Sequence, residues 1–381
     1  MSAPSISPTR DTELIDLQQQ VARLQALLEA TRQVHSTTSL DQVLMRVLEI
    51  VVRELEMPGA VFTDPPLTYG MASSVECENC RFPLRDKEGK LLTELVVTVP
   101  PQQQLSIYEQ DFLEGLALQA AVAVENAHYH RRNLEWVRVQ RDLDAARLIQ
   151  RSLLPQEMPT IAGYSLAMRS SACYEVGGDY VDIVELADGS HIMVVADVAG
   201  KGLASAIVST SFRSAFRAMA LSGLGMEEMA ARMNAQHYAE GAESRRRYVT
   251  AIFVKLDAKS HEIEVVNAGH NPGFLILPGQ PIREIEASGT PLGLIPAMVY
   301  KSERMTFEPG SRLLLYTDGL TEVFRDLDEF GSERLQNAFL ECNSSECNAI
   351  LEGLWDTLHE FSGGAPQEDD MTAMAILRMP S

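Results

Sequence analysis

Residues 175–204 read EVGGDYVDIVELADGSHIMVVADVAGKGLA. Two runs rich in β-branched and apolar residues, Tyr180 to Glu185 and His191 to Ala196, flank Ala187 to Ser190 (ADGS), a tetrapeptide suited to a hairpin turn. The stretch therefore predicts two antiparallel strands. Asp179 stands just before the first strand, behind Gly177 and Gly178. Asp197 stands at the end of the second, ahead of Gly200 and Gly202. Glycine lets the backbone bend where a Cβ would obstruct it, so each carboxylate lies where a strand runs into a tight turn.

The texture of this hairpin extends through the second half of the chain. Strands are predicted at Tyr164 to Ser170, Val249 to Leu256, His261 to Ala268, Gly273 to Leu277, Met298 to Phe307, Arg312 to Tyr316 and Met371 to Arg378. Helices are predicted at Leu203 to Leu221, Met226 to Tyr238, Glu333 to Glu341 and Cys347 to Glu360. Strand runs broken by helix pairs, without regular βαβ alternation, predict an α/β (α+β) fold. Residues 156–381 are expected to form an αββα sandwich of two antiparallel sheets flanked by helices.

The first half reads differently. Residues 1–31 begin as a disordered segment, after which Leu14, Leu17, Val21, Leu24 and Leu28 recur at steps of three and four. That seam fits pairing of two chains, or an amphipathic helix lying on its own domain. A helix from Ser36 to Glu56 opens on the capping residues Thr38 and Ser39 and stops at Pro58-Gly59. After a short apolar patch and a turn at Pro65-Pro66, Arg85 to Lys90 forms a hairpin turn whose return strand is Leu91 to Val99. Ser106 to Arg132 is helical, with Phe112, Leu116, Ala120 and Val124 on one face. Trp136, Val139, Leu143, Ala146 and Leu153 then carry a heptad seam through 133–155 until Pro155 stops it. The helix pair SLDQVLMRVLEIVVRELE and EQDFLEGLALQAAVAVENA resembles the first and last helices of a GAF sensor domain. On that resemblance 32–132 is a small, shortened GAF-like regulatory and dimerisation domain, followed by a helical coiled-coil linker.

Composition narrows the function. Lys and Arg number 32 against 53 Asp and Glu, a net charge of −21, so a nucleic-acid partner is excluded. The short basic run Arg245 to Arg247 reads as a solvated loop. No apolar run approaches the ~20 residues needed to span a bilayer, no leader-like segment opens the chain, and the five cysteines are thinly spread. A cytoplasmic protein without disulfides or membrane contact is expected. Cys77 and Cys80 form a lone CxxC without two further ligands for zinc.

Four acidic sites in the second half share one context, the end of a predicted strand: Asp179, Asp197, Asp318 in LLLYTDGL, and Asp369-Asp370 in QEDDMTAM. Gathered together, these carboxylates repel one another unless divalent cations neutralise them, and hard cations take oxygen donors without histidine or cysteine.

From Asp144 to Arg378 the chain resembles a SpoIIE/RsbU-type serine/threonine phosphatase, the bacterial branch of the metal-dependent protein phosphatase 2C-like superfamily. The resemblance runs through Ile149-Gln150, Leu153 to Pro155, Val176 to Asp182, Asp197 to Gly202, Asn267 to Pro272, Pro291 to Gly293, Leu315 to Leu320, Phe330-Gly331, Arg334-Leu335 and Asp369 to Thr372. It implies two Mn²⁺ or Mg²⁺ ions held by Asp197, Asp318 and Asp369, with Asp179 acting largely through water, the Val198 carbonyl adding an oxygen, and Asp370 standing outside. Asp179, Asp197, Asp318 and Asp369 are thereby the implied catalytic residues, activating water for in-line attack on phosphoserine or phosphothreonine. The implied substrate is a phosphorylated STAS-domain anti-sigma-factor antagonist, and the implied assembly is a homodimer through the linker and GAF-like region. Val181, Ala196 and Ala172-Cys173 depart from the usual pattern without removing a ligand. Lys201 is read as a solvated lysine or a phosphate contact, and His270 as a structural residue rather than a general acid.

Two rival readings remain. Gly177 to Asp179 is similar to the GGDEF signature of diguanylate cyclases, but Tyr180-Val181 follows, and three acidic sites go unused. A non-catalytic partner-binding module of the same fold is the other, and it has no use for a repulsive carboxylate set.

Overall fold

A computed structural model describes residues 21–22, 24–71, 78–100, 103–173 and 176–380 of the 381-residue chain. Leu14, Leu17 and Cys77 lie outside the described residues. The chain divides into two compact units, Met1–Val139 and Gln140–Ser381.

In the first unit a helix over residues 24–34 (α1) precedes α2 (Leu40–Glu54), four strands (β1, Gly59–Thr63; β2, Pro66–Gly70; β3, Glu78–Arg85; β4, Leu91–Val99) and the start of α3 (Ile107–Leu153). The strands form an antiparallel sheet in the order β2-β1-β4-β3. Its core joins Val47 and Leu48 of α2, Phe62, Leu95 and Val97 of the sheet, and Phe112, Leu116, Ala120 and Val124 of α3. The face expected of α3 is thus the buried one. Two details differ from expectation. The apolar patch after Pro58 is a true hairpin, β1 with β2. Ser39 is the N-cap of α2 but makes no capping bond with its side chain; its amide donates to Thr37 Oγ1 at 3.2 Å.

The second unit takes the tail of α3 and continues through β5 (Tyr164–Ser171), β6 (Tyr180–Glu185), β7 (His191–Val198), α4 (Leu203–Ala220), α5 (Met226–Ala239), α6 (Ala242–Arg245), β8 (Val249–Asp257), β9 (Glu262–Ala268), β10 (Gly273–Ile276), β11 (Arg283–Ile285), β12 (Glu303–Thr306) and β13 (Arg312–Tyr316). After a 3₁₀ turn at Asp318–Leu320 come β14 (Phe324–Arg325), β15 (Asp328–Glu329), α7 (Gly331–Glu341), α8 (Cys347–Ser362) and β16 (Met371–Arg378).

Two five-stranded antiparallel sheets result, ordered β12-β9-β8-β7-β6 and β11-β10-β13-β16-β5. Val181, Met193, Val195 and Ile252 of one meet Leu313, Leu315, Met374 and Ile376 of the other in a shared core. Outside, Phe212 and Phe216 of α4 and Met229 and Met233 of α5 cover the first sheet, while Leu335 of α7 and Leu351, Leu354 and Leu358 of α8 cover the second. Both faces of each sheet are buried, which is why β7 and β16 read as apolar runs rather than alternating ones. The expected αββα sandwich is the observed architecture. β5 pairs with β16, in the opposite sheet from β6. The expected strand from Met298 shrinks to β12.

Among the described residues no helix is long and apolar enough to cross a membrane.

Candidate functional site

The topology brings the acidic sites together in pairs. β6 and β7 are antiparallel neighbours with Tyr180 opposite Ala196, so Asp179 and Asp197, one residue beyond each, emerge at one end of that sheet. β13 and β16 are neighbours with Tyr316 opposite Ala373, and the Thr317 amide donates to the Thr372 carbonyl at 2.9 Å. Asp318 and Asp369-Asp370 therefore emerge together from the other sheet. A direct bond joins the two sheets here: the Thr317 hydroxyl donates to Asp179 Oδ2 at 2.8 Å.

Glycines make this crowding possible. A Cβ on Gly177 would stand 2.5 Å from Asp370 Oδ2, one on Gly178 2.9 Å from the Val198 carbonyl oxygen and 3.3 Å from Asp197 Oδ1, and one on Gly319 1.9 Å from the Asp370 carbonyl oxygen. Gly200 and Gly202 take φ of 97° and 80° on the way from β7 into α4, a region open to glycine at little cost.

The carboxylates act on one another. Burial, then the charges of Asp197 and Asp370, drives Asp179 well above the usual carboxylate range. Burial and the charges of Asp318, Asp369 and Asp370 push Asp197 up to about 7. Asp318 is raised by burial and by Asp369. Asp370 is raised by burial despite accepting the amides of Cys173 and Gly178 at 2.8 and 2.7 Å.

Individual oxygens are drawn to different partners, and among the described residues no three carboxylate, imidazole or thiol groups converge on one point. The donor set nonetheless fits hard divalent cations. It consists of oxygens only, its mutual repulsion asks for positive charge, and the glycine turns leave the Val198 carbonyl beside Asp197.

Lys201 is exposed, as the solvated reading expects, but it is engaged at the site. Its Nζ stands 2.8 Å from Asp369 Oδ2 and donates to the Glu368 carbonyl at 2.7 Å. His270 is buried, with its amide donating to Asn267 Oδ1 at 2.8 Å and its Nδ1 2.9 Å from Thr250 Oγ1. Burial pushes its pKa down to about 4, in keeping with a structural role. The run at 245–247 is a solvated turn at Arg246, 77% exposed, but its flanks are engaged: Arg245 ends α6 and stacks over Tyr238 at 4.8 Å, and the Arg247 carbonyl lies 2.9 Å from His237 Nε2.

Four contributors were given no role by sequence reasoning. Asp182 is fully buried in β6, gripped by Arg217 of α4 through two bonds of 2.7 Å and by the Tyr180 hydroxyl. An aspartate inside an apolar strand demands such a partner, and that was the available signal. Gln150 near the end of α3 donates to the Gly177 carbonyl at 2.7 Å and accepts the Gly177 amide at 3.2 Å. Arg213 of α4 donates to the Leu153 carbonyl at 2.9 Å. Glu322 is raised by burial and by the charges of Asp318 and Asp369.

Comparison with known proteins agrees with this geometry. Residues 187–378, half of the chain, match the family described as Stage II sporulation protein E (SpoIIE), and the chain belongs to that family. Asp197, Asp318, Asp369 and Asp370 fall inside the match; Asp179 lies upstream of it. Protein IcfG of Synechocystis sp. is 26% identical over 263 residues, covering 62% of this chain and 41% of that protein. Phosphoserine phosphatase RsbP of Bacillus subtilis is 26% identical, covering 48% and 46%. Phosphoserine phosphatase RsbU of the same organism is 23% identical, covering 76% and 84%. The chain thus spans less than half the length of the first two of these relatives. Among solved structures, the SiaA PP2C domain of Pseudomonas aeruginosa has a TM-score of 0.57 at 23% identity, covering 64% of this chain and 98% of that one. The RsbU and RsbW domains of a Mycobacterium tuberculosis protein have a TM-score of 0.50 at 27% identity, covering 58% and 62%. The fold of the second unit is that of the protein phosphatase 2C-like enzymes.

Proposed function

We propose that the chain is a metal-dependent protein serine/threonine phosphatase that hydrolyses phosphoserine or phosphothreonine on a regulatory protein. The observation that carries this reading is the set of aspartates from both sheets at one end of the sandwich, four of them held toward protonation by burial and by one another's charge. Asp197, Asp318 and Asp369 hold the ions, with Asp179 and the Val198 carbonyl completing the oxygen shell. Asp370 positions rather than reacts: its two oxygens fix the amides of Cys173 and Gly178, and so the turn that presents Asp179. Two divalent cations, Mn²⁺ or Mg²⁺, supply the charge that lowers the pKa of the attacking water and offsets that of the phosphoryl group.

Similarity to the phosphoserine phosphatases RsbP and RsbU supports a phosphoserine substrate. The substrate class we favour is a phosphorylated STAS-domain anti-sigma-factor antagonist. Control is assigned to the first unit, a GAF-like sensor, acting through the tail of α3. That tail bonds to Gly177, two residues from Asp179, and to α4. Trp136 and Val139 are 63% and 56% exposed on α3, which supports pairing of two copies along this seam.

The test is phosphate release from a phosphoserine protein, with Mn²⁺ or with chelator, by the wild type and Asp197→Asn. Chelation or substitution is expected to lower the rate by roughly a hundredfold or more, the equivalent of several kcal/mol of lost charge stabilisation. Four equal background rates would leave the non-catalytic binding module as the better account.

A further inference from the structure

Beside the acidic end of the sandwich lies a groove of about 330 Å³ that the chemistry above does not use. Its apolar lining comes from Val323, Phe324, Trp355, Leu358, Pro366 and Met371. Leu358 and Met371 are buried, and Trp355 is half-buried, with the exposed Arg169 guanidinium stacked over it at 4.9 Å. The groove has an apolar floor, walls that also carry Ser170, Ser171, His359, Gln367 and the acidic Glu322 and Glu368, a cation on its rim and a volume near the lower limit of roughly 300–1,000 Å³ typical of ligand pockets.

Its position sets its use. Gly319, Glu368 and Met371, all on its wall, are the chain neighbours of Asp318, Asp369 and Asp370. Consecutive Cα atoms are about 3.8 Å apart, and an extended peptide advances roughly 3.3–3.6 Å per residue. A peptide whose phosphoserine reaches the carboxylates therefore brings its adjacent residues over this groove. Glu322 on the same wall feels the charges of Asp318 and Asp369, an electrical sign of the same closeness.

We propose that this groove, between the turn after Asp318, α8 and the strand-entry segment 365–368, is a specificity subsite. It seats one large apolar side chain, such as leucine or phenylalanine, next to the phosphoserine of the protein substrate. The inference rests on the phosphatase reading above and adds to it the sequence preference of the substrate. Water leaves both surfaces when such a side chain docks, and a hydrophobic pocket discriminates by roughly ten- to two-hundredfold per well-fitted apolar difference.

The experiment uses the full chain with Mn²⁺, a set of phosphoserine peptides differing only in Leu, Phe, Ala or Gly at the flanking positions, and p-nitrophenyl phosphate as a probe without flanking residues. The wild type is expected to show a kcat/KM about tenfold or more higher for a Leu or Phe peptide than for its Gly counterpart. Ala365→Trp, an exposed position on the rim, fills the groove and is expected to bring that ratio toward one while the Gly peptide is still hydrolysed. Ser362→Trp plugs it from α8 and serves where Ala365→Trp folds poorly, as judged by its melting temperature. A wild type without flanking preference, or plugged variants that keep it, would overturn the subsite. A wild type that hydrolyses neither peptides nor p-nitrophenyl phosphate would overturn the phosphatase reading, and the subsite with it.

Discussion

Asp179 and Asp182 stand three residues apart around the start of one strand, both are buried, and they are held in opposite ways. Asp182 faces Arg217 and the Tyr180 hydroxyl, so its charge is answered within the protein. Asp179 faces Asp197 and Asp370, so its surroundings add to the charge instead. The difference separates a carboxylate that fastens α4 to β6 from one that asks for cations. Burial alone does not make a functional site; the sign of the neighbours does.

Breaking the fastening pair should have the largest effect on stability. Arg217→Met leaves Asp182 buried without its cation and is expected to cost about 3 kcal/mol, since removing one partner of a buried pair is far worse than removing both. Urea unfolding in the presence of chelator measures it, and an unchanged midpoint would equate the two aspartates after all. The acidic cluster should respond with the reverse sign. Asp197→Asn relieves repulsion, so in chelator the variant is expected to be more stable than wild type by about 1 kcal/mol, the usual gain when a strained functional site is relaxed. Loss of stability there would mean that the cluster is not repulsive.

The smallest expected effect concerns His270, on the edge of the site. Its folded pKa of about 4 lies below its ordinary 6.5, so the unfolded chain takes up the proton first. The stability it contributes is present above pH 6.5 and is lost as pH falls toward 4. His270→Gln should flatten this part of the difference in melting temperature between pH 7 and pH 5, while leaving the carboxylate contribution in place. Equal slopes for the two proteins would remove His270 from the acid response.

Much of this comparison was legible in the residues. Strand ends marked Asp179, Asp197, Asp318 and Asp369-Asp370, the first three of them near glycines, because local backbone chemistry writes itself into neighbouring positions. The pairing of β5 with β16 was not legible, since it joins segments about two hundred residues apart and no local pattern encodes which edge a strand takes. Nor was the exchange of Lys201 to Asp369, or of Gln150 to Gly177, visible beforehand, as side-chain partners across a fold follow from register and layer packing.

By itself, then, the sequence determined the layered antiparallel fold, the acidic turns and the long helix ended by Pro155, all consequences of propensity, periodicity and glycine. Only the tertiary structure decided that the turns of two different sheets share one end, that Asp182 belongs to Arg217 and Asp179 does not, and that a groove with an apolar floor opens one residue from the carboxylates. Those outcomes depend on which surfaces are buried against each other, and burial is a property of the whole chain.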